Sequence, residues 1–174
     1  MRAAGLVLSS LAIAGCARNL PATSTPPAAS SPQALQLKLP LYPSGAMHDL
    51  AEDRGSVVLV DVWATWCEPC KAALPLYQGL ERKYGSQGLK VYAINIDEDG
   101  QQIPPFLKTH NLDLPVLLDT GGKVAQDTLR VLAMPTTLLL DRTGVIRFRH
   151  DGFNQLAASR YESELQTLLA EGPK

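Results

Sequence analysis

Between residues 57 and 150 the apolar positions change period several times, and each change marks an element. The run VVLVDV at 57–62 is apolar apart from one acid and mostly β-branched, the pattern of a strand buried on both faces. In residues 71–84, Leu74, Tyr77, Leu80 and Tyr84 fall at helical spacing, and Gly85 supplies a stop. Pro75 removes one backbone bond and crowds the preceding turn, so that helix is expected to bend. Residues 89–96 form a second buried strand. A short helix at 103–111 opens on Pro104 and Pro105, 115–118 is a short edge-like strand, and 122–129 is a further short helix. Residues 136–141 and 145–150 flank Arg142, Thr143 and Gly144 as a hairpin, and 156–170 closes the chain as an amphipathic helix. Strand, helix and strand followed by a hairpin and a last helix predict an α/β domain, its central mixed β-sheet flanked by helices on both faces.

The chain ahead of this pattern is of another kind. Met1 and Arg2 precede the small, apolar stretch AAGLVLSSLAIAG at 3–15. That length suits the core of an export signal and falls short of the roughly 20 residues a membrane-spanning helix needs. Ile13-Ala14-Gly15-Cys16 resembles the bacterial lipobox, which implies cleavage before Cys16 and acyl chains on it. Several chains together anchor a protein stably. Residues 17–35 are rich in Pro, Ala, Ser and Thr with one charge. Such a segment cannot offset its ordering entropy by burial, and its prolines favour an extended tether. The expected organisation is a signal at 1–15, a lipidated cysteine and tether at 16–35, and one folded domain at 36–174.

Composition narrows the function classes. With 174 residues and a formal charge of −1, the chain has no basic surplus for nucleic acid. Its three cysteines are Cys16, Cys67 and Cys70. One CxxC without a second pair or a nearby histidine cluster is poor material for a structural zinc site, so no metal is expected. His48, His110 and His150 are scattered, as expected of surface or half-buried histidines.

The chemistry lies in Trp63-Ala64-Thr65-Trp66-Cys67-Glu68-Pro69-Cys70-Lys71, at a strand-to-helix junction. A thiol at a helix N-terminus sees unpaired N–H groups and the positive end of the dipole, both of which favour thiolate. Cys67 is therefore expected to attack a partner disulfide, and Cys70 to resolve the mixed disulfide. Pro69 stiffens the loop. Glu68 should oppose thiolate formation at Cys67.

This segment resembles the active site of the thioredoxin superfamily, and with Ala73-Leu74-Pro75 downstream it looks most like the membrane-bound TlpA/ResA-like branch. Ala133-Met134-Pro135-Thr136-Thr137 resembles that family's cis-proline motif, although Ala133 stands where a glycine is common. The resemblance covers roughly residues 36–170. It implies a thioredoxin fold, a cis bond before Pro135, and Met134 offering backbone to a substrate strand. It further implies that Asp61 is a buried acid serving the resolving cysteine, and that Glu98 falls where ResA-like proteins carry an acid near the thiols. Trp63 is expected in the core and Trp66 at the rim, shielding the thiols.

The function so implied is reduction of disulfides in specific partners outside the cytoplasm, with apocytochrome c or copper-site assembly proteins as substrate classes. A membrane donor would supply electrons, the N-terminal lipid would hold a monomer in the cell envelope, and no cofactor beyond the redox-active cysteine pair is implied. A disulfide-forming oxidant is the first alternative, but the stretch 96–115 is too short for the helical insertion of such enzymes. A non-catalytic module binding a metal or partner is the second. A peroxidase lacks support, because no Pro-x-x-x-Thr-x-x-Cys arrangement is present.

Overall fold

The β-branched run becomes the centre of the sheet. The computed structural model describes Met1, residues 33–154 and residues 158–172. The signal, Cys16 and nearly all of the tether fall outside these residues. The elements are β1 (Lys38–Tyr42), β2 (Met47–Asp49), β3 (Val57–Trp63), α1 (Cys70–Tyr84), β4 (Leu89–Asn95), α2 (Ile103–Thr109), β5 (Val116–Leu118), α3 (Lys123–Asp127), β6 (Thr136–Leu140), β7 (Ile146–Asp151) and α4 (Ala158–Ala170). The strands form one mixed sheet in the order β2-β1-β5-β4-β3-β6-β7. Neighbours β3–β4 and β4–β5 run parallel, whereas β3–β6, β6–β7, β1–β5 and β1–β2 run antiparallel.

Alternation along β3 divides the interior in two. Val57, Leu59 and Trp63 face a core shared with α1, α2 and α4, where Ala73, Leu74, Tyr77, Phe106, Tyr161 and Leu165 are buried. Val58, Val60 and Val62 face a second core containing Leu50, Ala125, Leu129, Leu138 and Leu140, on the side of α3. A strand with helices on both faces has no solvent side, which is why its sequence shows no polar alternation. Asp61 lies on the first face, between Leu59 and Trp63.

Two expectations need correction. The segment at 115–118 is not an edge, because β1 pairs beyond it through Leu41–Leu117 and Tyr42–Val116. The β1–β2 hairpin itself has no clear sequence signal: Pro40 and Pro43 interrupt its pattern, and strand interiors disfavour proline. The turn 141–145 forms as expected, with Gly144 at φ +79°, and a Cβ there would lie 1.5 Å from an Arg54 Nη.

Arg142 in that turn ties distant segments together. It donates to the carbonyls of Gly55 (2.7 Å), Leu169 (3.1 Å), Glu171 (3.1 Å) and Gln87 (3.5 Å). The contacts to Leu169 and Glu171 satisfy carbonyls at the C-terminal end of α4, which lack partners within the helix.

Candidate functional site: the Cys67–Cys70 disulfide

The site forms where β3 runs out of neighbours. Beyond Trp63 the chain turns, with the Cys67 N–H donating to Ala64 O (3.1 Å) and the Cys70 N–H to Cys67 O (3.2 Å). The helix α1 starts at Cys70 with Pro69 as its cap residue. Cys67 therefore stands in the tight turn ahead of the helix rather than at the cap itself, a shift of two residues from the sequence expectation. Pro69 favours this geometry, since its fixed φ suits the start of a helix and it has no N–H to satisfy.

Cys67 and Cys70 are joined as a disulfide, with Cα atoms 5.4 Å apart. Their exposures differ in a way that assigns order: Cys67 is 5% exposed and Cys70 0%. Only the first cysteine borders the outside. It lies in a groove lined by Trp66, Ile96, Val131, Leu132 and Met134 among others. Two rim residues are unusually open for apolar side chains, Trp66 at 68% and Leu132 at 90%. Trp66 thus stands at the rim as expected, and Trp63 is fully buried.

The opposite wall carries the second motif. The Met134–Pro135 bond is cis. Thr136 fixes this loop, its Oγ1 lying 2.6 Å from Ala133 O and 2.9 Å from Asp151 Oδ1, and the Gly152 N–H donates to Pro135 O (2.7 Å). The fold thereby brings Cys67, Glu68, Pro69 and Met134 to one groove, although they are far apart in sequence.

The acidic run resolves differently from the sequence expectation. Glu98 is exposed and lines a neighbouring hollow beside Trp66 and Thr65. The buried acid is Asp97, which sequence reasoning did not single out. Its carboxylate accepts from the Thr65 N–H (3.0 Å), the Thr65 hydroxyl (3.1 Å) and Asn95 Nδ2 (2.7 Å). Asp97 therefore clamps the loop that leads into Cys67. The one available signal was its position two residues beyond Asn95, whose Oδ1 accepts the Asp97 N–H (3.1 Å).

Asp61 is fully buried and pairs across the sheet with Thr137. Thr137 Oγ1 donates to Asp61 Oδ1 (2.8 Å), while Oδ2 has no partner among the described residues. Burial pushes its carboxyl well above the ordinary range, and the Thr137 hydrogen bond opposes this only in part.

Glu68 is exposed and pairs with Lys71 Nζ at 2.6 Å. The lysine offsets much of the field that a lone carboxylate would impose on Cys67. Exposed pairs of this kind are worth about 1 kcal/mol or less. Glu68→Ala, which also frees Lys71, is accordingly expected to lower the Cys67 pKa by no more than about half a unit. Thiol titration of the reduced protein checks this, and a rise would contradict it. Among the described residues no group of three or more His, Cys, Asp or Glu is placed to hold a metal ion.

A mixed sheet between helical layers, a CxxC disulfide at the β3–α1 junction and a cis-proline loop facing it define a thioredoxin-like protein with a redox-capable dithiol. The chain belongs to the AhpC/TSA family, whose model matches residues 32–149. It is similar to the thiol-disulfide oxidoreductase ResA of Bacillus thuringiensis subsp. konkukian, 32% identical over 102 residues, covering 59% of this chain and 58% of that protein. It is 36% identical over 112 residues to the thioredoxin-like protein YneN of Bacillus subtilis, covering 63% of this chain and 64% of that one. The matched region thus spans less than two thirds of these relatives' length. Among solved structures, a candidate thiol:disulfide interchange protein DsbE from Chlorobium tepidum superposes with a TM-score of 0.73 at 29% identity, covering 79% of this chain and 95% of that one.

Proposed function

We propose that this chain is an extracytoplasmic thiol–disulfide oxidoreductase that reduces disulfides in partner proteins. The observation that carries the proposal is the unequal placement of the two cysteines, with Cys67 bordering the groove and Cys70 fully buried. In the reduced enzyme the Cys67 thiolate attacks a partner disulfide. One partner sulfur departs as thiolate and the other is held in a mixed disulfide. Cys70 then loses its proton and attacks Cys67, which restores the intramolecular disulfide and releases the second partner thiolate. Asp61, on the face of β3 that packs against α1, serves as acceptor of the Cys70 proton.

The groove between Trp66 and Leu132 suits an extended segment of a partner protein, with Met134 beside it. Apocytochrome c or a copper-site assembly protein are the substrate classes favoured by the likeness to ResA. A lipid on Cys16 would hold the domain, as a monomer, at the membrane surface. Among the described residues no helix is long and apolar enough to cross a membrane. Electrons would come from a membrane donor, and the dithiol itself is the redox group.

The test is the reduction potential of the Cys67–Cys70 pair, measured by equilibration in defined thiol buffers and trapping of free thiols. A value of about −230 mV or lower is expected of a reductant, whereas about −120 mV would mean that the protein forms disulfides instead.

A further inference from the structure

Asp61 does not act alone. We propose that Thr137 and Tyr77 are positioning residues for Asp61, whose hydroxyl chain occupies Oδ1 so that the acid exchanges its proton through Oδ2. This inference rests on the function proposed above, in which Asp61 accepts the Cys70 proton.

Counting protons fixes the direction of the chain. Thr137 Oγ1 lies 2.8 Å from Asp61 Oδ1 and 2.7 Å from Tyr77 Oη. A carboxylate oxygen only accepts, so Thr137 spends its single hydroxyl proton on Oδ1. Its oxygen must then accept from Tyr77, whose own proton is spent in turn. Every donor points toward the carboxyl, and such chains polarise one another in a low-dielectric interior. Asp61, Thr137 and Tyr77 are each 0% exposed, so bulk water does not reach the chain of hydroxyls.

The two carboxyl oxygens are thereby made unequal. Oδ1 is held, while Oδ2 is buried without a partner among the described residues. Burial penalises the charged carboxyl, and protonation at the free Oδ2 removes that charge while Oδ1 keeps its hydrogen bond. Few other groups act on the acid. The cross-strand neighbours of Asp61 are Ala93 on β4 and Thr137 on β6, neither of them charged. From α1 it meets Tyr77, with Cys70 two turns earlier on the same buried side once the disulfide is reduced. From α4 the nearest titratable group acting on it is Tyr161, whose ring lies edge-on to Tyr77 at 5.8 Å. No lysine, arginine or histidine pairs with Asp61 among the described residues.

In the resolving step Cys70 S–H gives its proton to Asp61 Oδ2, and the Cys70 thiolate attacks the Cys67 sulfur of the mixed disulfide. The Cys67–partner S–S bond breaks, the Cys67–Cys70 bond forms and the partner leaves as thiolate. Protons and electrons balance without a further reagent.

The experiment is a carboxyl-resolved ¹³C NMR titration of the reduced full chain, comparing Thr137→Val, Tyr77→Phe and Thr137→Ser with the parent. Removing a donor to the carboxylate disfavours its charged form. The Asp61 midpoint is therefore expected to rise by about one to two pH units in Thr137→Val. It should rise by less in Tyr77→Phe and stay at the parent value in Thr137→Ser, which keeps the hydroxyl. An unchanged midpoint in folded Thr137→Val, or an unchanged one in Tyr77→Phe, overturns the relay. The titration is read without turnover. A parent chain that exchanges no disulfides yet shows these shifts therefore refutes the proposed function and upholds the relay.

Discussion

Cys67→Ser is expected to lower disulfide exchange by at least about 10⁴-fold, as loss of an attacking nucleophile does elsewhere. Serine fits the turn at residue 67 and preserves its backbone bonds, so the loss should come without unfolding. The reason for so large an effect is access. Cys70 is fully buried and cannot replace Cys67 at the groove. Cys70→Ser gives the complementary outcome, in which the first attack survives but the mixed disulfide persists because no second thiol resolves it. Rates of insulin or glutathione disulfide reduction, with mass analysis of trapped adducts, distinguish the two. A Cys67→Ser protein that keeps more than about a tenth of the parent rate would refute nucleophilic exchange at this site and favour a binding role.

The second large effect concerns Asp61, and it should appear in stability. Burial holds the folded-state pKa well above the unfolded value. Between those two values the unfolded chain has released a proton that the folded chain retains. Stability is therefore greatest below the ordinary carboxylate range and falls as pH rises toward the folded pKa, by up to about 1.4 kcal/mol per pH unit. Asp61→Asn removes this titration. The asparagine keeps an acceptor for Thr137, so the variant should be more stable than the parent at neutral pH, with a flatter profile above about pH 4. Urea unfolding between pH 4 and 8 measures this. Parallel profiles for the two proteins would show that Asp61 has an ordinary pKa. The same substitution should slow the resolving step, giving a protein that gains stability while losing turnover.

What could be read from the sequence followed how local each signal is. The central strands carry their own evidence, since VVLVDV at 57–62 is apolar on both faces. The helix α1 is legible from its periodicity, and the hairpin from Arg142-Thr143-Gly144 between an apolar run and an alternating one. Cys67, Cys70 and Pro135 announce themselves by spacing and neighbours. The β1–β2 hairpin was hidden because Pro40 and Pro43 break its pattern, while β1 is held by pairing with β5, a contact that only the fold supplies. Asp97 was hidden for a similar reason. In an acidic run any member can face inward, and the choice depends on Thr65 more than 30 residues away, here satisfied through two donors. Tyr77 is recognisable as a core position on α1. Its bond to Thr137 is invisible until the sheet register sets Thr137 opposite Asp61.

Arg142 bears on how long the folded state lasts. Its guanidinium gathers carbonyls from residues 55, 87, 169 and 171, which are neighbours only after the central strands, the α1–β4 connection and the last helix are all in place. Contacts that need so many elements in place are expected to form after the folding barrier, and so to add little to the speed of folding. Its stabilisation is then expected on the return path, where Arg142→Ala should speed unfolding more than it slows folding. On this reading the clasp acts on the native lifetime, since two of its four carbonyls belong to the end of the final helix.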